Sequence, residues 1–218
     1  MRLYVMVGAP GAGKGTQAAI LSGRLGLPHL ASGELFRAAV RAGTPLGRQV
    51  QAYLERGALA PDEVAIRVIL ERLAWPDAAE GAILDGFPRT RPQAEALDVA
   101  LARKGAKVSA ALYVGVREPE LLRRLSARWL CRAEGHSYNA LDHPPLRAGV
   151  CDIDGSELYQ RDDDRPATVR ARLERQLPPM YDVVDHYTER GVLTAVDGEG
   201  PIDEVTEALL RAIAQPAR

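Results

Sequence analysis

Gly8-Ala9-Pro10-Gly11-Ala12-Gly13-Lys14-Gly15-Thr16 follows directly on the apolar run Leu3-Tyr4-Val5-Met6-Val7. Glycine lets a backbone turn tightly and approach an anion with no Cβ in the way, so successive N–H groups converge on phosphate oxygens. Lys14 adds a mobile positive charge, and a helix starting near it aims its positive dipole end at the same anion. Strand, loop and helix together therefore read as one phosphate-binding unit. The stretch nearly meets G-x-x-x-x-G-K-[ST], but Gly15 holds the Ser/Thr place and Thr16 comes one residue late. That shift moves magnesium away from a direct hydroxyl ligand.

Working outward from the loop, β-rich apolar runs recur at 3–7, 28–31, 82–84, 110–116 and 192–196, with helical patterns between them. The helical stretches are 14–25, 33–43, 46–56, 61–75, 91–104, 118–130, 168–190 and 202–214. Such alternation predicts an α/β fold with a five-stranded parallel sheet flanked by helices. Two insertions interrupt the order. One, 32–60, is helical; the other, 129–164, is rich in Gly, Pro, His and Asp, lacks helical periodicity, and predicts a lid or small β subdomain. The expected core is thus 1–31, 61–128 and 165–218. With 218 residues, 46% apolar content and a net charge of −1, the chain can bury one substantial core and lacks a basic footprint for nucleic acid. It has no apolar run of about 18 residues and no charged leader before an apolar segment, which predicts a cytoplasmic protein with no membrane partner. Cys131 and Cys151 are its only cysteines, too few for a disulfide framework but enough for one bridge or a metal site.

Asp85-Gly86-Phe87-Pro88-Arg89-Thr90 ends the apolar run Ala82-Ile83-Leu84. An acidic residue at the carboxyl end of a parallel strand beside a phosphate loop is placed to hold Mg²⁺ through water, and Asp85 is that candidate. The guanidinium of Arg89 matches the oxygens of a second phosphate.

GAPGAGKGTQ at 8–17, SGELFR at 32–37, DGFPRT at 85–90, Arg124 with Arg128, and QRDDD at 160–164 followed by Arg170 and Arg172 recur in one order over nearly the whole chain. In that order and spacing the sequence resembles the nucleoside monophosphate kinases, the adenylate kinase family in particular. The late threonine of the loop is normal in that family. The resemblance implies a P-loop core, a helical monophosphate-binding insertion and a lid, working as a monomer. It implies reversible transfer of the γ-phosphoryl group of Mg-ATP to AMP, giving two ADP. By the same resemblance Gly11, Ala12, Gly13, Lys14, Gly15, Thr16, Arg124, Arg128, Ser137, Tyr138 and Gly200 bind ATP. Ser32, Arg37, Ala58, Leu59, Ala60, Gly86, Phe87, Pro88, Arg89, Gln93, Arg161 and Arg172 bind AMP. Lys14, Arg89, Arg124, Arg161 and Arg172 serve the transfer itself, and Asp163 and Asp164 organise the lid arginines. Phosphoryl transfer demands positioning and charge cancellation, which this set of cations supplies without a protein nucleophile.

Two rival readings stand beside this one: a kinase with another monophosphate acceptor or with GTP as donor, and a module that binds nucleotide without turnover. Gln93 matches the family glutamine that reads adenine, an amide that both donates to and accepts from that base, and it argues against another acceptor. The number of cations gathered on two phosphates argues against a pure binder. Ser32, where many members carry threonine, reads as a base contact or as a helix N-cap. In the lid, Cys131-x-x-Glu134 and Cys151-x-x-Asp154 repeat the spacing of the family's zinc-bearing knuckles, with Glu134 departing from the usual cysteine. Zn²⁺ held by these four residues, a metal-free lid hydrogen-bonded through the same positions, and a Cys131–Cys151 disulfide are the alternatives. Ala127-Arg128-Trp129 stands where the family shows Gly-Arg-Arg, which predicts altered lid closure with Trp129 packing at the hinge or on a base.

Overall fold

The computed structural model describes residues 1–214, with the backbone alone at 166 and 167; the last positions of the expected core, 215–218, lie outside the described residues. Strands β1 (Arg2–Val7), β2 (His29–Ala31), β3 (Gly81–Asp85), β4 (Val108–Gly115) and β8 (Leu193–Asp197) form one parallel sheet in the order β2-β3-β1-β4-β8. Leu3 through Val7 are all buried, as expected of a central strand covered on both faces by helices. The covering helices are α1 (Lys14–Leu25), α4 (Asp62–Arg72), α5 (Arg91–Ala102), α6 (Glu118–Ser126), α7 (Pro166–Glu189) and α8 (Ile202–Ala214).

Register decides where the site falls. Met6 pairs with Asp85, and Ala31 pairs with Asp85 from the other side. The ends of β1, β2 and β3 therefore deliver the glycine loop, the start of the next helix and the Asp85 carboxylate to one edge of the sheet. That carboxyl edge is where open α/β sheets take their ligands.

Two segments stand apart from this sheet. After β2 come α2 (Ser32–Arg41) and α3 (Pro45–Glu55), which pack against each other in the predicted helical insertion. In the second, β5 (Arg128–Cys131), β6 (Ser137–Asn139) and β7 (Leu158–Tyr159) form a separate antiparallel sheet in the order β6-β5-β7. The helix expected over 118–130 thus ends at Ser126. Arg128, Trp129 and Leu130 pair with Asn139, Tyr138 and Ser137, so strand pairing overrides the helical pattern of the last residues. Ala127 takes φ −97°, a conformation open to any residue, and needs no glycine. Trp129 is half-exposed on β5. Helices α5 and α7 are joined by the buried pair His186–Asp98, Nε2 to Oδ2 at 2.7 Å, which sets the helix carrying Gln93 against the helix carrying Arg172 and Gln176.

Candidate active site

The loop after β1 reaches α1 through Gly11 and Gly13 at φ 85° and 89°, and Gly13 caps the helix without a side chain. Positive φ is cheap only for glycine, and it leaves the first N–H groups of α1 open to an anion. Lys14 Nζ donates to the Ala9 carbonyl at 2.8 Å, curling the side chain back over the loop. Burial lowers its pKa to about 8, against the opposing pull of Asp85; Arg89, Arg172 and Arg128 push in the same direction as burial. Gly15 sits under Asp85: a Cβ there would meet Asp85 Oδ2 at 3.3 Å. The departure from the Ser/Thr pattern thus makes room for the carboxylate. Burial alone would raise the Asp85 pKa, but the His29 hydrogen bond at 3.4 Å and the Lys14 charge outweigh it and hold the group below the usual range.

Beyond the end of β3, Ser32, Arg37, Gly86, Arg89, Gln93 and Arg172 line one cavity together with Ala58, Leu59 and Ala60. Ser32 opens α2 but caps nothing; its Oγ donates to the Gly86 carbonyl at 2.5 Å, tying α2 to the end of β3. Arg89 Nε donates to the same carbonyl at 2.8 Å and its Nη1 reaches Gln176 Oε1 at 3.2 Å. Burial and then Arg172 lower its pKa to about 10, so it stays charged at neutral pH. Phe87 and Pro88 are not among the residues lining this cavity. Both turn into the interior, Phe87 fully, because an aromatic ring at the sheet edge gains more from the core than from a polar cavity. Gln93 is buried, with Oε1 accepting from the Arg89 N–H at 2.8 Å and Nε2 donating to Asp62 Oδ1 at 2.7 Å.

The remaining arginines converge through carboxylates. Asp164, fully buried, accepts from Arg128 Nε at 2.8 Å and Nη2 at 2.5 Å, and from Arg172 Nη1 at 2.7 Å. Arg161 donates to Glu34 Oε1 at 3.0 Å, and Arg37 reaches the same oxygen at 2.5 Å. Burial and then Arg37 bring the Arg161 pKa down to about 10. Among the described residues, the Nε atoms of Arg161 and Arg172 are buried donors with no partner. Such orphans demand an acceptor, and a phosphate oxygen is the fitting one. Arg124 binds Glu120 at 2.7 Å and the Gly198 carbonyl at 2.9 Å; Gly200, two residues on, borders a groove of about 710 Å³ between β8 and α8. Ser137 is exposed on β6, whereas the Tyr138 hydroxyl is committed inside the lid, accepting from Asp152 N at 2.8 Å and lying 3.4 Å from Cys151 Sγ. Alternation along the strand places these neighbours on opposite faces.

The lid cluster corrects the expected ligand set. Ligand atoms of Cys131, His136, Cys151 and Asp154 all lie within 4.8 Å of one another; Glu134 is not among them. The turn from Cys131 closes by Gly135 N donating to Cys131 O at 3.1 Å, with Glu134 N on Cys131 Sγ at 3.3 Å, so Glu134 gives its amide to the thiol while its residue stays exposed. His136 enters instead, with Nδ1 3.3 Å from both Cys151 Sγ and Asp154 Oδ2. Two thiols, an imidazole and a carboxylate suit a tetrahedral Zn²⁺. Among the described residues, the hydrophobic cluster of this segment is Cys131, Cys151 and Leu158 with Tyr138 packed against them, a small core that a bound metal would reinforce. Glu34, Asp62, His136 and Gln176 were missed from the sequence. Only Glu34, inside SGELFR, and His136, five residues after a lid cysteine, carried a local signal.

Comparison with known proteins agrees with this geometry. The family profile described as Adenylate kinase matches residues 6–192. The adenylate kinase of Lysinibacillus sphaericus is 47% identical over 214 residues, 98% of each chain. Those of Streptomyces avermitilis and Thermodesulfovibrio yellowstonii are 45% and 46% identical over 96% of this chain, and over 96% and 97% of their own. A glycine loop at the carboxyl edge of a parallel sheet, an arginine-lined cavity and a separate small β-sheet thus occur in a chain alike from end to end to these enzymes, and the chain belongs to the adenylate kinase family.

Proposed function

We propose a division of labour for the phosphotransfer from ATP to AMP that membership of the family carries with it. ATP phosphates bind on the backbone from Gly11 to Thr16 and on Lys14 and Arg124, with the Mg²⁺ that accompanies ATP facing Asp85 through water. The AMP phosphate binds on Arg37, Arg89, Arg161 and Arg172, and the adenine of AMP faces Gln93. The observation that carries this reading is the crowding of Lys14, Arg89, Arg128 and Arg172, close enough for each to depress the lysine. Asp85 and Asp164 offset only part of this positive charge; a phosphoryl group in transfer, with negative charge spread over its oxygens between two nucleotides, is suited to offset the rest. The backbone and Lys14 hold the donor, the arginines hold the acceptor in line, and segment 129–164 excludes water from the transferring group. That segment is read as the lid, 32–60 as the monophosphate-binding insertion, and the rest as the core.

Cys131, His136, Cys151 and Asp154 are the residues that would hold Zn²⁺, which would supply a structural staple there and no chemistry for the transfer. Among the described residues, no helix is long and apolar enough to cross a membrane. We place the protein in the cytoplasm as a monomer, a reading tested by fractionation and sedimentation. The transfer is tested by a coupled assay of turnover with AMP, GMP, CMP and UMP, using ATP and then GTP as donor. AMP with ATP should give the highest kcat/KM. Tight nucleotide binding without turnover of any acceptor would leave a binding module in its place.

A further inference from the structure

We infer that Asp62 is a specificity-determining positioning residue: by fixing which way the Gln93 amide points, it makes the acceptor site choose adenine over a 6-oxopurine. The inference rests on the reading above that Gln93 faces the acceptor base.

Glutamine can present its amide in two orientations, and the neighbours decide which. Gln93 Oε1 lies 2.8 Å from the Arg89 backbone N–H, and Nε2 lies 2.7 Å from Asp62 Oδ1. A backbone N–H only donates and an ionised carboxylate only accepts. Reversing the amide would set N–H against N–H at one end and oxygen against carboxylate at the other. Asp62 is itself anchored. Thr90 Oγ1 donates to the same Oδ1 at 3.0 Å and accepts from Gln93 N at 3.3 Å, so Asp62, Thr90 and Gln93 close a ring of hydrogen bonds. The Gln93 side chain is nearly inaccessible yet lines the cavity that holds Arg37 and Arg89.

After these bonds the amide keeps one acceptor lone pair and one N–H, in fixed order. Position 6 of the purine is an N–H donor in adenine and an oxygen acceptor in guanine, while N7 accepts in both. The fixed amide satisfies the adenine edge at both atoms. A 6-oxopurine offers two acceptors on that edge and leaves the amide oxygen facing a lone pair. Without Asp62, only the Arg89 N–H opposes reorientation, and the amide can turn toward the oxygen.

The test is steady-state kinetics of the full-length protein with AMP, GMP and IMP. Asp62→Ala should raise KM for AMP with kcat unchanged and lower the AMP:GMP ratio of kcat/KM by ~10-fold, the low end of one bidentate base contact. Asp62→Asn, which keeps an acceptor oxygen, should retain most of the ratio. On a Gln93→Leu background, Asp62→Ala should change the ratio no further. Asp62→Ser carries the same test should alanine compromise folding, and melting temperatures accompany every variant. An AMP:GMP ratio untouched by Asp62→Ala in a wild type that prefers AMP overturns the inference. So does an equal loss on the Gln93→Leu background. A wild type without preference for AMP over GMP overturns instead the reading of Gln93 on which it rests.

Discussion

Replacing Asp164 by asparagine tests whether one buried carboxylate organises the arginines of the site. Asp164 is fully buried and receives three charged hydrogen bonds, two from Arg128 at 2.8 and 2.5 Å and one from Arg172 at 2.7 Å. Asparagine keeps one acceptor oxygen and turns an NH₂ toward a guanidinium. Breaking a buried pair by removing one partner costs about 3–5 kcal/mol, mostly because the other charge stays desolvated. The Arg128 side chain is 20% exposed and can partly rehydrate, and Arg172, only 9% exposed, keeps Asp163 at 3.0 Å. The low end, about 3 kcal/mol, is therefore expected. For a chain of 218 residues, at ~2–4 °C per kcal/mol, that is a fall in melting temperature of ~6–12 °C.

The pH dependence gives the same variant a second readout. Burial opposes ionisation of Asp164, but Arg128 and Arg172 outweigh it and hold its pKa below the ordinary value. A group depressed in the folded state contributes fully above its unfolded pKa of about 3.9, and the contribution is lost as pH falls through the lower folded value. The gap in melting temperature between wild type and Asp164→Asn should thus be full at pH 7 and shrink below pH ~4. Scanning calorimetry of both proteins from pH 7 downward measures it. A fall of less than ~2 °C at neutral pH, or a gap that persists unchanged in acid, would refute the assignment of Asp164 as the charge that holds Arg128 and Arg172.

Lys14, with its pKa lowered to about 8 by burial, should take up a proton when ATP binds above that pH, because phosphate favours the charged form. Titration calorimetry in buffers of unlike ionisation heat detects the uptake, and buffer-independent heats at pH 8.5 would contradict it. Gly86→Ala places a Cβ 2.7 Å from Arg89 Nη2 and 2.9 Å from Ser32 Oγ at a φ of 71°, so kcat/KM should fall by ~10²-fold as Arg89 is displaced. Activity close to wild type would mean Arg89 does not need its observed position. His136→Ala should strip zinc from purified protein by elemental analysis while Glu134→Gln keeps it; the reverse pattern would return the ligand role to Glu134.

The parts of this structure legible in the sequence are those written in contiguous residues. The glycine loop, the five parallel strands and the DGFPRT segment are local patterns, and each lies where its pattern implied. Contacts made across long stretches of chain left no such mark. Gln176 reaches the site from the middle of α7, 87 positions from Arg89, on a helix face that reads as ordinary amphipathic sequence. The lid misled for a definable reason. Cys131-x-x-Glu134 looks like a knuckle, but the turn spends residue 134 on a backbone hydrogen bond to sulfur and lets the following strand supply His136. The C-terminal end of α6 was overread because Leu125, Trp129 and Leu130 continue a helical spacing that pairing with β6 interrupts.

The carboxylates around the arginines sort into two kinds, and the sorting bears on how a phosphate enters. Asp164 is sealed, and it bonds both Arg128 and Arg172. Glu34 is different. Its side chain is 44% exposed, and a single oxygen is shared between Arg37 and Arg161. With one oxygen for two guanidiniums, Glu34 offers fewer acceptors and less charge than a dianionic phosphate, which is expected to compete with it for both. Glu34 also lies beside the turn at Gly135, where a Cβ would be 3.8 Å from the carboxyl group. It therefore links α2 to the lid through the same two arginines that an acceptor phosphate would use. Asp164 holds Arg128 and Arg172 in position; Glu34 neutralises Arg37 and Arg161, the two guanidiniums that the proposed acceptor phosphate would take over.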